Sequence, residues 1–590
     1  ATTAAGNSFC LGFDASADLG NDLGGENNDF TLSSIAAANQ SVDTPSLTYP
    51  VFSDLTNMGN VALFNGNTMA DELSSGSAIG NTAIPDGSWY WEVKYVGGGG
   101  TGSIHGICTF DFNTDANLAY NSPSSPASAD TRCIYLDTGA RGYGVNSTSP
   151  TDSYGSGQNT DTYSGVAITK SGTSWKIWIS ESGTWPISGN PATGANPMYD
   201  WTSDYDYTFA VGNWATGDKD VYMVMVAADW QATVPEGFLS LASNNLPTPD
   251  YQGVDFYNTV LYAGNGTVIG SGGKAVTGTG FQPDFVWIKN RSATDDHALY
   301  DAVRGVTKQI ESNTITAETT EAEGLTAFGA DGFTVGNLAQ VNTGSENYVA
   351  WQWLGANGTS TNEVGTLTST VSVAEADHFS IVSYTGSGAN TTVGHGLSAA
   401  PEMVIVRELP GGDDWNVYTV AGTGSGSLRL DSTTAFLADA TLWNSTAPSS
   451  TVISLGTSNE TNQSSTAMIA YCFRSIPGVC KVGSYTGNNA NSGRFIWTGF
   501  RPRWLMVKNK AVAGQDWRIY DSIVRPYNEN SQFFKANTDS AEIASTGFDF
   551  LANGVKARDT NAGFNSAALF VYIAMADIAG NGTLPPIYGQ

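Results

Sequence analysis

A unit of about a hundred residues occurs three times in the second half of this chain. Its clearest mark is a Pro followed by a hydrophobic strand that ends in a basic residue. The three copies are Pro283-Asp284-Phe285-Val286-Trp287-Ile288-Lys289, Pro401-Glu402-Met403-Val404-Ile405-Val406-Arg407 and Pro502-Arg503-Trp504-Leu505-Met506-Val507-Lys508. The Pro positions are 118 and 101 residues apart (401−283 and 502−401). Upstream of them stand Tyr262-Ala263-Gly264, Tyr384-Thr385-Gly386 and Tyr485-Thr486-Gly487. Downstream, the aromatic segments containing Tyr300, Tyr418 and Tyr520 follow each Pro by 17, 17 and 18 residues (300−283, 418−401, 520−502). A triplicated unit restricts the chain to architectures built by repetition, so it is settled before any single fold is argued.

The composition favours strands. Among 590 residues there are 68 Gly and only 14% charged residues. Gly, Ser, Thr and Asn are poor in helix interiors but serve short strands joined by turns. At this length one core is too few, so several domains are expected. The net charge of −30 would repel a polyanion, so no nucleic-acid partner is expected. The longest apolar stretch, 567–576, is half of what a bilayer needs, so no membrane insertion is expected. Five Cys (Cys10, Cys108, Cys133, Cys472, Cys480) at wide spacings form neither a disulfide framework nor a zinc motif, and they read as buried free thiols. That fits assembly in a reducing cytoplasm followed by use outside it.

Along the chain, residues 1–80 read as an N-terminal β-segment of strands around a long Gly/Asn/Asp turn. Residues 81–240 read as an antiparallel β-sandwich. In Trp89-Tyr90-Trp91-Glu92-Val93-Lys94-Tyr95, alternation places Trp89, Trp91, Val93 and Tyr95 on one face. Residues 241–254 form a Pro/Asn/Asp linker. The repeats then occupy 255–360, 376–477 and 478–580. Each copy ends in a closing strand, around Trp351, Tyr471 and Tyr572.

Two resemblances follow from these segments. The Trp-Tyr-Trp-Glu-Val strand, with Gly165-Val166-Ala167-Ile168 and Trp175-Lys176-Ile177-Trp178-Ile179, resembles a SPRY-type sandwich, itself similar to concanavalin-like lectin folds. The Asp-rich start, the Asp43-Thr44-Pro45 turn, the run from Pro235 to Pro247 and the repeated module are similar to tail-associated proteins of marine bacteriophages. In those proteins a laminin-G-like domain precedes a similar segment. The chain begins with Ala, so processing or truncation of such a domain is expected. The fold class expected is thus all-β and multidomain: a SPRY/concanavalin-like antiparallel β-sandwich followed by three repeated β-sandwich-like modules. The resemblance implies a virion structural protein on the virion surface, a tail fibre or tail-associated adhesin contacting host-surface glycans or proteins. It implies other virion proteins as partners and a homo-oligomer, commonly a trimer. The alternatives are an architectural subunit, such as a head-surface fibre, and a polysaccharide-degrading tailspike.

The search for chemistry gives few candidates. Asp14, Asp18 and Asp22 are spaced like ligands for a hard cation, with Glu26, Asn27 and Asp29 nearby, and calcium is the candidate ion. Turn-forming Asx residues explain the same segment. The recurring aromatics and cations of the Pro-led strands could stack on sugars and bind acidic glycans. Their recurrence in all three copies favours core faces, with Lys289, Arg407 and Lys508 capping strand ends. The four His (His105, His297, His378, His395) match no catalytic motif. The acid pairs Asp295/Asp296 and Asp413/Asp414 could flank a sugar, but adjacent acids in Gly-rich turns read as solvated loops. The sequons at Asn146, Asn265, Asn357 and Asn444 are expected from composition. No catalytic residue and no organic cofactor is assigned, and the chain is expected not to be an enzyme.

Overall fold

The computed structural model describes residues 49–53, 61–64, 67–72, 77–96, 103–109, 131–135, 141–143, 162–203, 205–213, 219–246, 249–491 and 493–577. Asp14, Asp18, Asp22 and Asn146 lie outside them. The chain divides into two compact units, one of residues up to 248 with Leu551–Asn553 and one of Pro249–Phe550 with Gly554–Ala579. Almost every element is a strand, and all the paired strands are antiparallel.

The first unit is a sandwich of two sheets. A seven-stranded sheet runs in the order Val61–Phe64, Met69–Glu72, Lys219–Val224, Gly87–Val96, Tyr163–Ser171, Ser174–Ile179, Tyr199–Thr202. A five-stranded sheet runs Ser77–Ile79, Tyr207–Asn213, Ser103–Thr109, Thr131–Tyr135, Arg141–Tyr143. Trp89, Trp91, Val93 and Tyr95 face the core between the sheets, with Trp175, Ile177, Phe209 and Val211. The boundaries differ from the sequence reading. Val61–Phe64, Met69–Glu72 and Ser77–Ile79 pair into these two sheets rather than standing apart, and Leu241 and Ala242, expected in a linker, are buried in the sandwich core. The reason is that edge strands are completed by partners far along the chain, which local turn signals do not reveal.

The second unit contains the three repeats. Each has a four-strand sheet in the same order: entry strand, closing strand, Pro-led strand, aromatic strand. In the first module these are Tyr257–Ala263, Asn347–Trp353, Phe285–Asn290 and Ala298–Asp301. In the second they are Phe379–Thr385, Ala467–Phe473, Met403–Glu408 and Asn416–Thr419. In the third they are Cys480–Thr486, Leu569–Ala576, Pro502–Asn509 and Arg518–Asp521. The second and third sheets are extended by further strands.

Both faces of each Pro-led strand are buried. Val286 and Ile288, Val404 and Val406, and Leu505 and Val507 face the modules' own smaller cores. Their alternates, Phe285 and Trp287, Met403 and Ile405, and Trp504 and Met506, meet in one central cluster shared by all three modules. The modules are therefore three sectors of a single body around a common apolar core. Central strands with two buried faces read as continuous hydrophobic runs, which is what these are.

The triplicated Tyr-x-Gly has a packing reason. Tyr262, Tyr384 and Tyr485 each donate a hydroxyl hydrogen bond to a backbone carbonyl, Val341 O at 2.7 Å, Thr461 O at 2.6 Å and Phe564 O at 2.6 Å. Two residues on, Gly264, Gly386 and Gly487 let that segment approach. A Cβ at Gly386 would lie 2.2 Å from Gln463 O. Gly386→Ala is accordingly expected to cost about 2–4 kcal/mol, since the obstacle is backbone. A lowered urea midpoint at unchanged slope is the expected reading.

Candidate functional site

The second unit's most organised polar chemistry lies at the seams between modules, where it repeats with threefold order. At the start of each aromatic strand stands a ring nitrogen that bonds a carbonyl of a neighbouring module. Trp415 Nε1 donates to Glu311 O at 2.9 Å, and Trp517 Nε1 donates to Arg429 O at 2.7 Å. At the same place in the first module, His297 Nε2 lies 3.0 Å from Lys535 O. The second module thus grips the first, the third grips the second, and the first closes back on the third. Backbone bonds follow the same cycle: Glu318 N donates to Leu409 O, Phe436 N to Lys510 O and Glu542 N to Arg291 O.

A second set lies at the other end of the strands. Tyr471 Oη donates to Asp301 Oδ2 at 2.7 Å across one seam, and Trp351 Nε1 donates to Asp521 Oδ2 at 3.0 Å across another. The corresponding residues of the remaining seam are Ile573 and Thr419, paired within their modules at the same register positions as Tyr471 and Asp301. Acceptor and donor are both replaced there, and Thr419 Oγ1 has no hydrogen-bond partner. Asp521 also accepts Thr259 Oγ1 at 2.7 Å and two backbone N–H groups, and burial raises its carboxyl above the ordinary range.

The cations of the Pro-led strands belong to this framework. Lys289, Arg407 and Lys508 are all buried. Lys289 Nζ donates to the carbonyls of Asn290 and Asp295, both at 2.9 Å. Lys508 Nζ donates to Gln515 O and, across a seam, to Ser432 O at 3.0 Å. Arg407 donates across a seam to Thr316 O at 2.6 Å. Burial lowers both lysines to about 8. The bonds of these three side chains go to backbone carbonyls of the body itself.

The other candidates are placed as follows. Asp295 accepts from Asn290, Asp296 accepts from Asn313, and Asp414 pairs with Arg429. His105 and His378 are fully buried without hydrogen-bond partners, and burial pushes both down to about 3. His395 Nδ1 accepts from Leu397 N at 3.1 Å. Cys108, Cys472 and Cys480 are buried, Cys472 and Cys480 as free thiols, with the Cys472 thiol pushed up to about 12 by burial. Asn265, Asn357 and Asn444 are exposed. Among the described residues, no group of three or more His, Cys, Asp or Glu is placed to hold a metal ion.

Sequence reading missed a buried Asn in every module. Asn342, Asn462 and Asn565 sit before the closing strands and are fully buried. Asn462 Nδ2 donates to Ala389 O and Gly456 O at 2.7 and 2.6 Å, and its Oδ1 accepts from Ser387 N at 2.7 Å. Asn342 and Asn565 bond their own turns in the same way. Aligning the copies on their closing strands would have exposed this signal. In the sandwich, buried Glu92 was likewise missed. Its carboxylate accepts Gln231 N and Ala232 N, each at 2.8 Å, and Tyr90 Oη at 3.0 Å, pinning a covering segment over the sheet.

The central cluster leaves one small cavity, about 10 Å³, lined by apolar side chains of all three modules, among them Phe285, Trp353, Ile405, Trp415, Trp504 and Ile573. That is about the volume of one water and far below a ligand pocket. Surface departures are more telling. The stretch from the aromatic-strand Tyr to the seam carbonyl is 11 residues in two modules (311−300, 429−418) and 15 in the third (535−520). The longer segment presents Tyr527, at 74% the most exposed large hydrophobic residue among those described.

Fold and site together define an all-β chain in which an antiparallel sandwich accompanies a three-module closed body. Residues 252–578, more than half of the chain, match the family described as Domain of unknown function (DUF7483), and the chain belongs to that family. No curated protein sequence matches it. Solved structures similar to part of the chain include the SPRY domain of human HERC1, at 12% identity and a TM-score of 0.23, covering 29% of this chain and 96% of that one. Another is the carbohydrate-binding module CBM66 from Bacillus subtilis, at 10% and 0.20, covering 30% and 93%. A third is the lectin UEA-II complexed with galactose, at 11% and 0.20, covering 31% and 93%. At these scores the likeness carries no argument about ligands, and the description of the sandwich rests on its own strand order.

Proposed function

We propose that this protein is an adhesive structural component of a bacteriophage virion surface, a tail fibre or tail-associated adhesin whose exposed loops contact host-surface glycans or proteins. The observation that carries this reading is the use of the repeated polar side chains. The buried cations, buried Asp and ring nitrogens are spent on carbonyls and carboxylates inside the body, which leaves the differing loops to meet a partner. Tyr527 on the lengthened loop and Tyr205 on the sandwich are exposed rings of the kind on which sugars stack. Several weak contacts of this sort would add through multivalency in an assembled virion. The homotrimer and the contacts to other virion proteins belong to this proposal, as does calcium at Asp14, Asp18 and Asp22.

The test is binding of labelled protein to intact host-range bacteria, with and without calcium and after stripping of surface glycans. Saturable binding that is lost on stripping is expected. Tyr527→Ala is expected to weaken it by about tenfold with an unchanged melting temperature, as removal of one stacking ring from an exposed site would do. Absence of binding by folded oligomer would favour the architectural alternative. Release of reducing sugars from host polysaccharide would favour the tailspike.

A further inference from the structure

At the start of the aromatic strands the three seams share one geometry but differ in one chemical property. Two are latched by indoles, Trp415 and Trp517, which do not titrate. The seam between the first and last modules is latched by His297. It is also the seam that closes the cycle, joining modules that are not neighbours in the sequence. The imidazole there has both nitrogens committed. Nδ1 accepts from Trp287 Nε1 at 2.8 Å, so the ring proton sits on Nε2 and is donated to Lys535 O. A second proton would have to occupy Nδ1, where it would face the Trp287 N–H donor. The ring is fully buried, away from bulk solvent.

The surroundings add to this. Lys289, on the paired Pro-led strand, holds its positive charge close to the ring. From the first module, Asp295 and Asp296 lie on the preceding loop, with their carboxylates turned to Asn290 and Asn313, and Glu311 bonds Thr314 and Gln340. From the third module, Lys535 pairs with Asp516, and Asp539 acts on Lys289. Arg291 and Glu542 form an ion pair across the same seam at 2.6 Å. Asp521, at the far end of this seam, works in the opposite sense, because its raised carboxyl favours the closed form on acidification.

We propose that the seam between the first and third modules is an acid-released joint, shut by the neutral His297 imidazole and opened when that ring takes up a proton, while the Trp517 seam stays closed. The sign follows from linkage. Burial lowers the closed-state imidazole to about 3, and an opened seam returns it to its ordinary value near 6.5. The stabilisation is complete above about pH 6.5 and is lost as pH falls toward 3. The opening equilibrium therefore rises about fivefold over the first pH unit below 6.5 and about tenfold over the next.

Backbone amides report each seam directly. Hydrogen exchange of the full chain would be followed at Glu542 N, which crosses the His297 seam, and at Phe436 N, which crosses the Trp517 seam. His378, another buried imidazole of this body, packs on Phe256 and Phe379 at the opposite strand end, so Phe436 is the clean reference. After correction for intrinsic exchange, the His297 contribution is expected to lower protection at Glu542 about 50-fold between pH 6.5 and 4.5 while Phe436 stays level. Equal changes at both amides, or none at Glu542, would overturn the proposal. The variant Trp287→Ile with His297→Trp rebuilds the seam on the pattern of Ile405 and Trp415, and should make Glu542 as insensitive to pH as Phe436. If that variant fails to fold, the comparison of the two amides in the unaltered chain still decides the matter.

Discussion

Asp301→Ala is expected to destabilise the three-module body by about 3–5 kcal/mol, because it strands a buried charge. Asp301 has a fully buried side chain, and Arg304 beside it is 3% exposed. The carboxylate holds the Arg304 guanidinium and its backbone N–H, and it accepts the Tyr471 hydroxyl from the second module. Without it the guanidinium keeps Glu318 at 3.1 Å and two carbonyls. Those contacts hold the loss to that range. Tyr471→Phe removes only the seam bond and should cost about 1–2 kcal/mol. Urea unfolding of both variants measures the difference. Equal, small losses would mean that the carboxylate is not the anchor described.

Asn462→Ala should cost a similar amount, about 3–4 kcal/mol, by a different route. No charge is stranded. Instead the carbonyls of Ala389 and Gly456 and the N–H of Ser387 lose their partner at a fully buried position, and a cavity is left. Asn342→Ala and Asn565→Ala should fall within about 1 kcal/mol of it, since each residue pins the equivalent turn in its own module. A loss confined to one of the three would contradict the equivalence.

Much of the fold was legible because its signals are local. The Pro-led strands, the Tyr-x-Gly flanks and the aromatic strands each repeat within short windows, and alternation in 89–95 gave the sandwich's inner face directly. The seams were not legible. Tyr471 and Asp301 lie 170 residues apart, as do Trp351 and Asp521, and nothing near either member announces its partner. The core that the three modules share was hidden by the same limit. Alternation identifies two faces of a strand but does not tell that Phe285, Met403 and Trp504 meet one another. The cations were read as strand-end caps, and their carbonyl cages, which reach into neighbouring modules, come only from the closed arrangement. The replacement of Asp by Thr419 opposite Ile573 could have been noticed by aligning the copies, although its meaning depends on the seam.

The most direct test of the closed body is scanning calorimetry of the full chain with and without Asp301→Ala. The three modules share one apolar core, so they should melt in one transition whose calorimetric and van't Hoff enthalpies agree, and the substitution in the first module should lower that whole transition. Three separable transitions of about a hundred residues each, with Asp301→Ala moving only one, would contradict the account.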